Sequence, residues 1–310
     1  MDSKIKSPAF LILAHTDPEQ LLKLTQALDE NSPIFVHLDG KADIKIFESY
    51  PFGDHVRFIQ DRLKISWAGF NMVLATLNLI RAVLKSAGDY SHLVLLSGLD
   101  YPIKPVSRLK NFLNEHQGKE FIRFINVNDS PEHYLKIHKR LAFKNPFVPT
   151  VSIPVIGQLL EVMDKVTRKF LGVLFQFYRK KPLENIVPCF GSQWWAITPQ
   201  CAAYILDFTD KNPLFLKYFK SSFGPDEYFF HTIVGNSPFL QNAGGFQKYE
   251  SRGTSKMANL HVIHPSLSKV YTLDDFEELK NSDKFFVRKI TTESSKELVE
   301  KINYELLLVP

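Results

Sequence analysis

The stretch AFLILAHTDPEQLLKLTQAL (residues 9–28) decides the fold. Its first six residues are apolar without alternation, the pattern of a strand covered on both faces. Asp17 then precedes Pro18, an N-cap followed by a proline that suits the first helical position. Helix-type spacing of apolar residues continues to about residue 28. A doubly covered strand followed at once by an amphipathic helix is the repeating unit of a parallel sheet.

The neighbouring segments repeat that unit. IFVHLD (34–39) and VRFI (56–59) read as a second and a third strand. Residues 67–85 carry Met72, Ala75, Leu79, Ala82 and Val83 at helical spacing. HLVLLS (92–97) reads as a fourth strand, 108–115 as a short helix and EFIRFI (120–125) as a fifth strand. The expected fold is therefore α/β, with a mostly parallel, doubly wound sheet flanked by helices. Such sheets bind ligands beyond the carboxyl ends of their strands. This rule marks His15, Asp39 and the 97–105 loop by position alone.

Further along, strands are expected at 194–198 and 285–287, and helices at 199–208, 225–234, 274–279 and 294–308. Between the two halves, residues 136–181 hold ten Lys or Arg and two acids, Glu161 and Asp164. A helix over 156–178 is expected there, mixing Leu, Phe and Val with cations. Such a helix suits either packing on the domain or contact with a bilayer surface.

Composition sets outer limits. The 310 residues carry a net charge of +5 and are 45% hydrophobic. That describes a globular chain large enough to bury a core without staples. The charge is concentrated in 136–181, so the remainder of the chain is net acidic. No RNA- or DNA-binding signature accompanies the cations, and a nucleic-acid partner is not expected. No apolar run reaches the ~18 residues of a membrane span. The run at 9–14 is too short for a signal-peptide core, so a cytoplasmic location is expected, with peripheral contact at the inner face of the membrane through 136–181. Cys189 and Cys201 form no CxxC pair and read as two reduced, buried thiols.

Common catalytic signatures are missing. The chain has no GxxxxGK[ST], no GxGxxG, no GxSxG, no HExxH and no Asp-x-Asp. His261 and His264 stand three apart without an evident third metal ligand and read as structural.

Four segments carry a signal. SGLDYPIKP (97–105) follows an apolar strand, and Asp100 can accept hydrogen bonds from sugar hydroxyls or cap the turn before Pro102. GSQWW (191–195) offers Gln193 for hydroxyls and Trp194 and Trp195 for the apolar faces of sugar rings. Strand alternation allows at most one of the two tryptophans to belong to the core. GPDE (224–227) opens a helix with Asp226 and Glu227 in its first turn, where acids also suit the helix dipole. A positioned carboxylate such as Glu227 can take the proton from an attacking hydroxyl. FVRK (286–289) ends an apolar run with Arg288 and Lys289, two cations able to neutralise a diphosphate or to lie solvated at a strand end.

Together these segments resemble the core-2/I-branching β-1,6-N-acetylglucosaminyltransferases, a family that includes peptide xylosyltransferases. The resemblance runs from about residue 9 to about 290. It rests on VHLD (36–39), the Trp67–Gly69 region, SGLDYPIKP, GSQWW, PDEYFFHTI (225–233) and FFVRK (285–289), all in the family's order. It implies a GT-A-like fold and an inverting transfer from a UDP-sugar, of N-acetylglucosamine or xylose, to a glycan or lipid-linked glycan acceptor. No metal and no other cofactor are implied.

By position, Glu227 looks like the catalytic base and Asp39 like the acid near uracil and ribose. Lys289 looks like the diphosphate-binding lysine, with Arg288 and His15 beside the nucleotide. Trp194, Trp195, Gln193, Asp100 and Asp226 fall in segments that line the sugar and acceptor cleft. The family's second diphosphate cation has no direct counterpart, and His264 or Lys269 stands in its place. The absence of an anchor, a stem and disulfides suggests a soluble bacterial form. The implied organisation is one catalytic domain over 1–310: a nucleotide-binding half (1–130), a basic, partly helical insert (131–190), and an acceptor-binding and catalytic half (191–310). A catalytically inactive UDP-sugar- or glycan-binding protein is the alternative.

Overall fold

The computed structural model describes residues 5–28, 31–86, 88–130, 166–167, 185–250 and 257–308. The basic insert and its expected 156–178 helix lie outside the described residues, apart from 166, 167 and 185–190.

The first half alternates as expected. In order come β1 (Ala9–Ala14), α1 (Pro18–Ala27), β2 (Ile34–Leu38), α2 (Ile44–Glu48), β3 (Val56–Phe58), α3 (Asn71–Lys85), β4 (Leu93–Ser97), β5 (Asp100–Pro102), α4 (Val106–Glu115) and β6 (Phe124–Asn126). The second half adds β7 (Cys189–Gly191), β8 (Ala196–Ile197), α5 (Pro199–Lys211), α6 (Pro213–Lys220) and α7 (Phe229–Gly235). It ends with β9 (His261–Ile263), α8 (Phe276–Lys280), β10 (Phe286–Arg288) and α9 (Lys296–Ile302).

Among the described residues, the central sheet runs β3-β2-β1-β4-β8. Strands β1 to β4 are mutually parallel, and β8 closes the edge antiparallel to β4. The sheet is covered on both faces, as the unbroken apolar run at 9–14 requires. Leu11 and Leu13 pack in one core with α3, whereas Phe10 and Ile12 pack in another with α1 and α4. The architecture is thus the GT-A-like, parallel sheet flanked by helices. A smaller sheet, β5-β10-β9, packs over a third apolar cluster that includes Tyr101, Val287 and Ile302.

Several local expectations are corrected. Residues 120–125 do not form a fifth parallel strand. Phe121 makes an isolated bridge to Ala196, and β6 pairs antiparallel with β7. The edge of β4 is already taken by β8, and the buried Glu120 carboxylate accepts from Thr198 N and Oγ1, which holds the segment there. Helix α3 begins at Asn71 rather than near residue 67, because Ala68 adopts a left-handed conformation (φ 54°). The 225–234 helix is split: Pro225–Glu227 is a 3₁₀ turn, and α7 starts only at Phe229. Strands β5, β7 and β9 and helices α2 and α6 were not expected from the sequence. Cys189 and Cys201 are buried free thiols, as expected.

Candidate active site

The order β3-β2-β1-β4 places the reversal of winding between β1 and β4, so a crevice opens at their carboxyl ends. His15 leaves β1 there, and Gly98 leaves β4 so close that a Cβ on it would lie 3.2 Å from the Ala14 Cβ. Strand β10 brings Arg288 and Lys289 to the same region through its pairing with β5.

A cavity of about 280 Å³ is lined by Arg288 and Lys289 and by Asp226 and Glu227. Gln193 and Trp194 line it as well. Six residues singled out in the sequence therefore meet in one cavity, although they span residues 193 to 289. The acids get there through Gly224, whose positive φ (57°) turns the chain into the 3₁₀ turn. Its N–H donates to Ala68 O at 3.1 Å, which locks this turn against the one preceding α3.

Burial pushes the Asp226 carboxyl up to about 6, opposed by its backbone hydrogen bond. Lys289 is held below the ordinary lysine value, first by desolvation and then by Arg288 beside it. The Arg288 guanidinium carbon lies 4.7 Å from the Trp194 ring centre. His15 lies outside the cavity wall but within its field. Desolvation lowers its pKa, Arg288, Lys289 and Lys41 lower it further, and Asp39 raises it.

Asp39 is 5% exposed at the end of β2. Its Oδ1 accepts from Lys41 N (2.9 Å) and Ile65 N (3.2 Å), and its N–H donates to Ala14 O (2.8 Å). Arg62 braces this corner by donating to the carbonyls of Leu38, Asp39 and Ala42. Asp39 and His15 thus form a separate shelf beside the cavity, at the ends of adjacent strands.

Four of the expected contacts are placed elsewhere. Asp100 is fully buried, and its carboxylate is occupied by Ser97 N, His261 Nε2 and Arg288 Nη1, so it does not face a sugar. Trp195 is 1% exposed and packs on Phe230 with ring centres 5.6 Å apart. It belongs to the core. Trp194 is 8% exposed and packs in the same core while also lining the cavity. The two residues precede β8, so strand alternation does not separate them, and the expectation that at most one is core is corrected. Lys269 donates to Asp275 Oδ1 at 2.5 Å and lies over the Tyr271 ring, so its ammonium is committed away from the cavity. His264 bonds Ser266 through Nδ1 and is likewise not part of the cavity wall.

Two aromatics in the wall were not assigned from the sequence. Trp67 is 86% exposed and meets Phe223 edge to face, with ring centres 5.6 Å apart. An apolar residue in a Trp-Ala-Gly turn was the available signal for Trp67; Phe223 had none. Among the described residues, no group of three His, Cys, Asp or Glu side chains is arranged to hold a metal ion.

The GT-A-like sheet thus carries a crevice that gathers adjacent acids, adjacent cations and a tryptophan. The chain belongs to the Core-2/I-branching enzyme family, whose profile matches residues 8–259. It is 23% identical to a xylosyltransferase of Ciona intestinalis over 88% of this chain and 30% of that protein. It is 21% identical to xylosyltransferase 2 of Rattus norvegicus over 96% of this chain and 33% of that protein. A β-glucuronosyltransferase of Arabidopsis thaliana is 25% identical over 96% of this chain and 66% of that protein. The chain spans about a third of the length of these xylosyltransferases. These relatives carry the names of sugar transferases. Among the described residues, no helix is long and apolar enough to cross a membrane.

Proposed function

We propose that this chain is an inverting, metal-independent glycosyltransferase that moves a sugar from a UDP-sugar to a hydroxyl of a glycan acceptor. The observation that carries this reading is the meeting of Glu227, Arg288, Lys289 and Trp194 in one cavity beside the Asp39 shelf. Asp39 and His15 bind the nucleoside side of the donor. Lys289, with Arg288, meets the diphosphate and stabilises the charge that develops on it as the glycosidic bond breaks. Glu227 takes the proton from the acceptor hydroxyl, which attacks the anomeric carbon from the face opposite the leaving UDP. Atoms balance with UDP and a β-linked product, and the proton leaves on Glu227. Trp194 and Gln193 contact the sugars from the cavity wall.

N-acetylglucosamine and xylose are the donor sugars proposed. The 136–181 segment is proposed to meet an anionic acceptor or the inner face of the membrane. Charge reversal at Arg179, Lys180 and Lys181 tests it: binding to anionic liposomes is expected for the parent and lost in the variant.

A panel of UDP-sugars scored for binding and hydrolysis, with and without EDTA, tests the main reading. UDP-dependent binding and turnover that survives EDTA are expected. Strict dependence on added Mn²⁺ overturns the metal-free mechanism, and UDP binding without transfer or hydrolysis reduces the protein to a binder.

A further inference from the structure

Asp100 is completely buried, yet it sits at the base of the site rather than in a structural corner remote from it. The register of the small sheet explains why. In the antiparallel β5–β10 pair, Asp100 is directly opposite Arg288. On the other side of β10, His261 of β9 pairs with Phe286 and reaches the same carboxylate. The two carboxylate oxygens then divide their work. Oδ2 accepts from Ser97 N (2.8 Å) and His261 Nε2 (3.1 Å), whereas Oδ1 accepts from Arg288 Nη1 (3.1 Å).

Arg288 is therefore gripped twice: by the buried carboxylate at one nitrogen, and by the Trp194 ring 4.7 Å from its guanidinium carbon. Its side chain keeps 16% exposure and forms part of the cavity wall. A free arginine has many rotamers, and ordering it on binding an anion costs affinity. A guanidinium already fixed by an ion pair and a ring bears that cost in the fold. We propose that Asp100 is a positioning residue that holds Arg288 for the diphosphate of the donor, with His261 orienting the Asp100 carboxylate. The anionic ligand rests on the reading given under the proposed function; the fixing of Arg288 does not.

Asp100→Asn isolates the effect. The asparagine keeps its oxygen toward the two donors, Ser97 N and His261 Nε2, and turns its amide toward Arg288. Donor then faces donor, and Arg288 is released while the other bonds remain. Two measurements decide the matter. In ¹⁵N spectra of arginine-labelled protein, assigned by loss of the signal in Arg288→Gln, the Arg288 Nη groups are expected as separate slow-rotating signals in the parent. They are expected to average in Asp100→Asn. An averaged Arg288 signal in the parent overturns the proposal whether or not the variant folds.

In calorimetric titration with UDP, Asp100→Asn is expected to weaken affinity about tenfold, with uridine binding unchanged. In the Arg288→Gln background the same substitution is expected to cost less than about twofold, because a positioning residue has nothing left to position. Equal losses in both backgrounds, or unchanged UDP affinity in a folded Asp100→Asn protein, overturn it. A parent that binds no UDP refutes the diphosphate as the ligand and the proposed function with it, while the ¹⁵N spectra still decide whether Asp100 holds Arg288.

Discussion

Single residues in this cleft are set apart by their surroundings rather than by their type. Asp226 and Glu227 are adjacent in sequence, but burial raises the Asp226 carboxyl to about 6. Glu227 is assigned the proton transfer, so Glu227→Gln is expected to lower turnover by ~10²–10⁴ with an unchanged fold. Steady-state rates alongside circular dichroism check this, and near-normal turnover in a folded variant sinks the assignment. His231 shows a different effect of environment. It is fully buried, its Nε2 bonds Ser192 O at 2.9 Å, and burial lowers its pKa from 6.5 to about 4. The unfolded chain therefore binds a proton near pH 6.5 that the folded chain refuses until about pH 4. The contribution of neutral His231 is complete above pH 6.5 and is lost as pH falls toward 4. Against His231→Gln, which does not titrate, the parent's relative melting temperature should fall across that window. A pH-independent difference between the two melting curves would rule this out.

At the scale of elements, the site depends on short connections that tie remote segments together. Asp17 caps α1 through Gln20 N and also accepts from Thr292 N (2.8 Å) and Oγ1 (2.6 Å). It joins the first helix to the chain that follows β10. Asp17→Ala removes a cap and a cross-tie and is expected to cost roughly 2 kcal/mol, at the upper end for a helix cap. Denaturant unfolding measures it, and a loss within error would show that Thr292 and solvent replace both bonds. The long elements were legible in the sequence. β1, α1, β2 and β4 are marked by unbroken apolar runs, a cap and a proline, all local signals. Some short ones were not. β5, β7 and β9 are three residues long, and their pairing depends on partners distant in sequence. The 120–125 segment has a strand's composition, but the edge it needed is occupied by β8.

At the scale of the whole molecule, charge and function are separately placed. The +5 of the chain comes from residues 136–181, yet the cations of the cleft, Arg288 and Lys289, lie outside that segment. The proposed UDP affinity should therefore fall as ionic strength rises, since partly exposed charges are screened. Lys289→Met should weaken UDP binding and flatten that salt dependence, as titrations at low and physiological ionic strength would show. An unchanged slope would place the diphosphate elsewhere. The sequence by itself determined the layered α/β plan, the ends of the first strands, and the acid and cation pairs at 226–227 and 288–289. These are written in local order: hydrophobic period, caps and adjacent charges. Tertiary structure alone decided which residues share the cavity. It sent Asp100 beneath Arg288, Trp195 into the core and Lys269 to Asp275, and it raised Trp67 and Phe223 at the rim. Such choices depend on strand register and on which face of a chain is already covered, and neither exists until distant segments have packed.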